Sequence, residues 1–265
     1  MPSQYEKNYA RLVGYIMRHG NDRPTRNHPT RSTFGRKLVV DELCHGQFPI
    51  LNGRKMHPEG VFGELAAFLK GPKSIQDFKD EGCNYWDKFG EEDGSINVDY
   101  GNSWRDFNGV NQLETVLTSL AEDPNGRRHL ISGWRPDNIA SLSLPCCHLL
   151  YQWYVNGARL EMIMYLRSVD VMVGLPSDVI LAAAWNIIMA DQLGLQPGKL
   201  VFMLGDTHIY TDHMPMVNEY LDTVIYLEDT CPHYFYEGTI YNFSKDSIKL
   251  LDYNPMGPMT FRLHT

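Results

Sequence analysis

Pro145-Cys146-Cys147-His148 sets a thiol beside an imidazole at the predicted start of a strand. A thiolate is a strong nucleophile, and imidazole moves protons near neutral pH. Cysteine is also a small hydrophobe that cores bury, and neighbours along a strand point to opposite faces, so the local pattern leaves both readings open. Arg127-Arg128 stands before one predicted strand and Arg167-Ser168 after another. Guanidinium forks suit phosphate, but they also solvate strand ends. Asp178 opens an apolar run, where a carboxylate can cap a helix or act in a site. His208, Asp212 and His213 lie close in sequence but match no standard zinc spacing, so ordinary hydrogen bonding is the better reading and no metal is expected.

Other chemistries are excluded by what is missing. The chain has no G-x-G-x-x-G, no Walker loop, no H-E-x-x-H and no G-x-S-x-G. A net charge of −8 speaks against a general nucleic-acid binder while leaving a small anionic ligand open. Five cysteines, an odd number without a C-x-x-C, speak against a disulfide framework. Neither a basic leader with an apolar run nor a stretch of ~20 apolar residues is present, so no membrane partner and a cytoplasmic location are expected.

The elements that must position these residues are legible in outline. Tyr5, Tyr9, Leu12, Val13, Ile16 and Met17 repeat at helical spacing and stop near Gly20. Asn21 to Gly35, with Arg23, Arg26 and Arg31 and with Arg36 just beyond, reads as an exposed basic loop. Helices are predicted over Glu59 to Leu69 and Leu113 to Leu120, the second closed by Asp123-Pro124-Asn125-Gly126. A strand over His129 to Trp134 precedes a hairpin, Leu149 to Val155 and Arg159 to Leu166, joined by the turn dipeptide Asn156-Gly157. Val179 to Ala190 is apolar on nearly every side and reads as a buried helix. Lys199 to Leu204 reads as a strand running into Gly205-Asp206-Thr207-His208. With no repeat or linker, the expectation is one α+β domain over residues 1–265.

Taken together, the pieces resemble the thymidylate synthase family. The resemblance is carried by Asn21-Asp22-Arg23, Phe34-Gly35, Gly63-Glu64-Leu65, Trp86-Asp87, Tyr100-Gly101, Arg127-Arg128, Pro145-Cys146-Cys147-His148, Arg167-Ser168-Val169-Asp170, Gly174-Leu175-Pro176 and Gly205-Asp206-Thr207-His208-Ile209-Tyr210, in that order. It also extends to Asp252-Tyr253-Asn254-Pro255. The fold it implies is α+β, with a large mixed β-sheet packed against helices and a homodimer formed through the sheet. The activity it implies is transfer of a one-carbon unit from 5,10-methylenetetrahydrofolate to C5 of a pyrimidine nucleotide.

By the same matching, Cys147 is the nucleophile that adds to C6 of the ring, and Arg167 is a cation that could supply its thiolate. Arg23, Arg167 and Ser168 would hold the phosphate, with Arg127 and Arg128 reaching over from the other subunit. His208 and Tyr210 match the residues that bind the sugar 3′-hydroxyl. Glu64 matches the proton-handling carboxylate, with Tyr100 and His148 in its network. Trp86, Asp170 and Gly174 match the folate site, where Trp86 has plain core packing as its alternative.

One departure bears on the substrate. Members that read uracil use an Asn amide, which donates to O4 and accepts from N3–H; the matching position here is Asp178. A charged carboxylate cannot donate to O4, whereas cytosine presents a 4-amino donor and an N3 acceptor. The resemblance therefore points to the dCMP hydroxymethylases, with dCMP preferred over dUMP and catalysis by Cys147, Glu64, His148, Tyr100 and Asp178. Thymidylate synthase, dUMP hydroxymethylase and methyl transfer to (d)CMP are the alternatives. The tail Met259 to Thr265 is more polar than an apolar closing tail, Ser177 stands where Phe is typical and Leu166 where Gln is typical; these departures favour water over hydride at the last step. Family precedent places such an enzyme in supply of a modified DNA base, in the host cytoplasm if phage-encoded.

Overall fold

Ser3 caps the first helix, α1 (Gln4–His19), by accepting from the Glu6 N–H, and Tyr5, Tyr9, Val13 and Ile16 bury its apolar stripe. The structure is a computed structural model that describes residues 3–227 and 231–264; Met1, Pro2 and the last tail residue, Thr265, lie outside them. After α1 the chain forms β1 (Asn21–Arg23) and β2 (Thr30–Val40) where the sequence predicts a loop. The strand signal there is masked by polar residues. The register from Thr30↔Tyr210 to Val40↔Leu200 supplies backbone pairing that local propensity does not reveal.

Helices follow as α2 (Pro58–Lys70), α3 (Ile75–Asp80), α4 (Asn102–Arg105) and α5 (Gln112–Glu122). The predicted spans of α2 and α5 hold within two residues at each end. Next come β3 (Leu130–Ser132), β4 (His148–Asn156) and β5 (Arg159–Asp170). Asn156-Gly157 makes the expected tight turn, with Gly157 at φ +60°, where a side chain is disfavoured. The chain ends through α6 (Gly174–Gln192), β6 (Gln196–Tyr210), α7 (Met214–Val224), β7 (His233–Tyr236) and β8 (Ile248–Leu251).

The large sheet is mixed, in the order β1-β2-β6-β5-β4-β3, with β5 and β6 parallel and the other pairs antiparallel. Gly205 lies where β6 presses on β5: a Cβ there would stand 2.5 Å from the Arg167 carbonyl oxygen. One face of the sheet packs on α6, whose Trp185 stacks on Trp104 at 4.1 Å. This is the α+β architecture with a large mixed sheet packed against helices. The other face carries Leu150, Tyr154, Ile163 and Met203, all exposed, in register with one another through pairs such as Leu150↔Tyr165 and Tyr165↔Met203. Among the described residues no helix is long and apolar enough to cross a membrane.

Candidate active site

The turn before β4 brings Cys147 and His148 to one side rather than to opposite faces. Cys147 precedes the strand, and the pairing of β4 with β5 shifts register between His148 and Leu150, a bulge of the kind that re-aims side chains. The Cys147 N–H donates to the Tyr100 hydroxyl, and the His148 ring lies 4.5 Å from the Tyr100 ring. Arg167 braces this turn, donating from Nε to the Cys146 carbonyl at 2.7 Å and from Nη2 to the Pro145 carbonyl at 3.1 Å. Burial pushes the Cys147 thiol up, Arg167 pulls it down, and the net displacement is upward. This corrects the expectation of a ready-made thiolate: the cation is present, but desolvation outweighs it.

Two carboxyls share the floor of the site. The Glu64 Oε1 accepts from the Trp86 indole N–H at 2.7 Å, and burial lifts the Glu64 carboxyl to about 7. Such a group exchanges protons readily at neutral pH, so the pH profile of turnover should inflect near 7, and Glu64→Gln should abolish that inflection along with most of the rate. Trp86 itself is buried, stacked on Phe78 at 4.8 Å. It thus packs in the core and holds Glu64.

Asp178 is not a helix cap. α6 starts at Gly174 with Val173 in the cap position, which places Asp178 inside the helix. Its Oδ1 lies 3.8 Å from His148 Nε2. Burial first, and the Glu64 charge second, hold the Asp178 carboxyl well above the usual carboxylate range. Burial also pushes His148 down to about 3, so the imidazole is neutral and burial favours the neutral form of both groups.

A cleft of about 190 Å³ brings Ser168, His208 and Tyr210 together with Thr25, Arg26 and Asp206. His208 Nδ1 meets Asp206 Oδ1 at 3.1 Å, and Asp206 also accepts from Arg23 at 2.5 Å. Arg26 was visible in the sequence only as one charge in a basic segment; its place in the cleft follows from pairing of β2 with β6. Arg127 and Arg128 are exposed beside the edge strand β3 and form no ion pair among the described residues.

Asp170 and Gly174 line the approach to Asp178. Asp170 Oδ1 accepts from the Met172 N–H at 2.8 Å, while its Oδ2 is buried without a hydrogen-bond partner. A Cβ on Gly174 would stand 3.8 Å from Asp178 Oδ2. An orphaned buried acceptor suits a ligand rich in N–H donors, and a reduced pterin is such a ligand. In the histidine group, Asp212 and His213 are joined by His264 rather than His208. Their contacts are ordinary hydrogen bonds: His213 Nε2 donates to the Arg262 carbonyl at 2.8 Å, and His264 Nε2 lies 2.9 Å from Asp212 Oδ2.

The site thus holds a thiol, two raised carboxyls, a neutral imidazole and a polar cleft with Arg26 and Asp206 in its lining, arranged on a mixed sheet. The thymidylate synthase family model matches residues 7–264, and the chain belongs to the thymidylate synthase family.

Proposed function

We propose that this protein converts dCMP to 5-hydroxymethyl-dCMP. Family membership supplies the coarser statement, that the chain is a one-carbon transferase acting on a pyrimidine nucleotide with methylenetetrahydrofolate as donor. The finer reading rests on Asp178. A neutral carboxyl facing the base edge can donate to N3 of cytosine and accept from its 4-amino group.

In this reading Cys147 Sγ bonds to C6 of the ring and C5 becomes nucleophilic, while Tyr100 fixes the backbone of the attacking residue. Methylenetetrahydrofolate, when bound, supplies the one-carbon unit, and Asp170 with Gly174 would hold it. Glu64 takes up and returns protons at C5 and the 4-position. Loss of the C5 proton expels tetrahydrofolate from the transferred carbon and leaves an exocyclic methylene; water adds to that carbon and gives up a proton as the Cys147–C6 bond breaks and the thiolate is returned. Water at this step is favoured by the polar groups of the tail, which docks with His264 on Asp212 and the Arg262 carbonyl on His213 as well as through Phe261 and Met259 against the core. Arg26 and Ser168 of the cleft, together with Arg167 and with Arg23 beside the cleft on Asp206, would hold the phosphate, and His208 with Tyr210 the sugar.

The deciding experiment gives the enzyme equal dCMP and dUMP with methylenetetrahydrofolate and identifies products by mass. Hydroxymethyl-dCMP is expected. Methyl-dCMP would remove the water step, and dTMP or hydroxymethyl-dUMP would remove Asp178 as the cytosine reader.

The exposed apolar sheet face suits a second copy, since apolar faces of this extent are covered in assemblies. Arg127 and Arg128, which form no ion pair among the described residues, would then reach the partner's phosphate end. Mixing inactive Cys147→Ser with inactive Arg127→Ala/Arg128→Ala under exchange conditions should regenerate activity, because each mixed dimer contains one intact site. No recovery, with mixed dimers demonstrated by mass, would mean that neither arginine reaches across to the partner's site.

A further inference from the structure

A neutral carboxyl at position 178 has a weakness as a reader. By turning its proton it can complement cytosine (donating to N3, accepting from the amine) or uracil (donating to O4, accepting from N3–H). Selectivity needs a neighbour that breaks this symmetry. Beside the Asp178 carboxyl stands His148, with Nε2 at 3.8 Å from Oδ1.

His148 is buried and neutral, so one ring nitrogen carries a proton and the other a lone pair. Tyr151 decides which. Its hydroxyl lies 2.6 Å from His148 Nδ1 and 3.0 Å from the His148 carbonyl oxygen. The hydroxyl has a single proton, and the carbonyl can only accept. If Tyr151 donates to the carbonyl and Nδ1–H donates to Tyr151, both contacts hold a proton. If Nδ1 is bare, the one hydroxyl proton must serve two acceptors, and one short contact sets lone pair against lone pair. The first arrangement satisfies every group. Tyr151 cannot turn away from it, because its ring is fully buried, 4.8 Å from Trp185 and 5.2 Å from Trp104.

We infer that Tyr151 is a specificity-positioning residue: it locks His148 as the Nδ1–H tautomer and so leaves a bare Nε2 acceptor beside Asp178, favouring a base with an amine at position 4 over one with a carbonyl. This deepens the proposed function and rests on Asp178 as the reader. The two hydrogens of a 4-amino group would meet two acceptors, Asp178 and His148 Nε2, directly or through one water. A carbonyl O4 would meet a lone pair at Nε2 whichever way Asp178 turns its proton. With Nε2–H instead, the same ring would donate to O4 and reward uracil. A strand tyrosine, which periodicity alone reads as core, thereby carries a chemical instruction to the base pocket.

The test pairs a structural and a kinetic readout on the full-length enzyme. In ¹⁵N-histidine NMR, wild-type His148 is expected to carry its proton on Nδ1, and Tyr151→Phe, close in shape, to release it to Nε2. The ratio of kcat/KM for dCMP over dUMP should fall about tenfold in Tyr151→Phe, the order of effect of one mispaired polar group. A general loss of packing would lower both substrates together; a melting curve and the far-UV spectrum establish that the variant folds. The inference is overturned if wild-type His148 is protonated on Nε2, or if wild type prefers dCMP and the ratio is unchanged in Tyr151→Phe. Failure of the underlying reading has a different signature: wild type shows no preference for dCMP and Asp178→Asn leaves the ratio alone, and then Tyr151 is no specificity device whatever its tautomeric effect.

Discussion

Cys147→Ser should reduce turnover by at least about 10³ while leaving the fold and nucleotide binding intact. Serine keeps the size of the side chain, and its main-chain N–H still donates to Tyr100. What is lost is the nucleophile: a buried hydroxyl has no base beside it, since His148 is held neutral by its apolar surroundings and its Nδ1 is engaged by Tyr151. The thiol itself should titrate high. Because burial outweighs Arg167, alkylation of Cys147 in the free enzyme should accelerate only above the ordinary thiol range of ~8.5, and Arg167→Ala should move that onset further up by removing the one cation that opposes desolvation. Wild-type turnover by Cys147→Ser would end the covalent mechanism. Rapid alkylation at pH 7 would instead say that the thiolate is preformed.

The sequence made the local elements legible where pattern and partner agree. The β4–β5 hairpin was readable because Asn156-Gly157 supplies the turn and both flanks are apolar, and α6 because an apolar run too short for a bilayer has few other destinations. β2 was not, since its outer residues are Arg31, Lys37 and their polar neighbours and its stabilisation comes from pairing with a strand some 170 residues away, as in Ser32↔His208. Within the site, the order of motifs named the reacting groups, but not their supports. Trp86 to Glu64, Tyr100 to Cys147 and Asp206 to Arg23 are contacts between distant segments. Tyr151 lies only three residues from His148, yet nothing in the spelling separates a strand tyrosine in the core from one that fixes an imidazole. Asp178 shows the converse: a position that alone reads first as a cap is taken out of that role by where the helix begins, four residues earlier.

Asp178→Asn should shift the ratio of kcat/KM for dUMP over dCMP upward by about 10²–10³, the scale at which a buried polar site rejects a substrate that leaves its groups unpaired. The replacement is isosteric, so packing within α6 is unchanged. The amide, however, donates from its nitrogen and accepts at its oxygen, the complement of O4 and N3–H, and cytosine would set its 4-amino donor against the amide NH₂. pH adds a second, independent sign. The Asp178 carboxyl is raised by burial and by Glu64, so it is neutral at low pH and loses its proton only as pH climbs through its elevated range. Ionised, it no longer donates to N3 of cytosine or to O4 of uracil, so kcat/KM should fall on the alkaline side for both substrates, and the part of that fall due to position 178 should vanish in Asp178→Asn, since asparagine does not titrate. A dUMP over dCMP ratio unmoved by the substitution would mean that position 178 does not face the base, and the assignment of cytosine would fall with it.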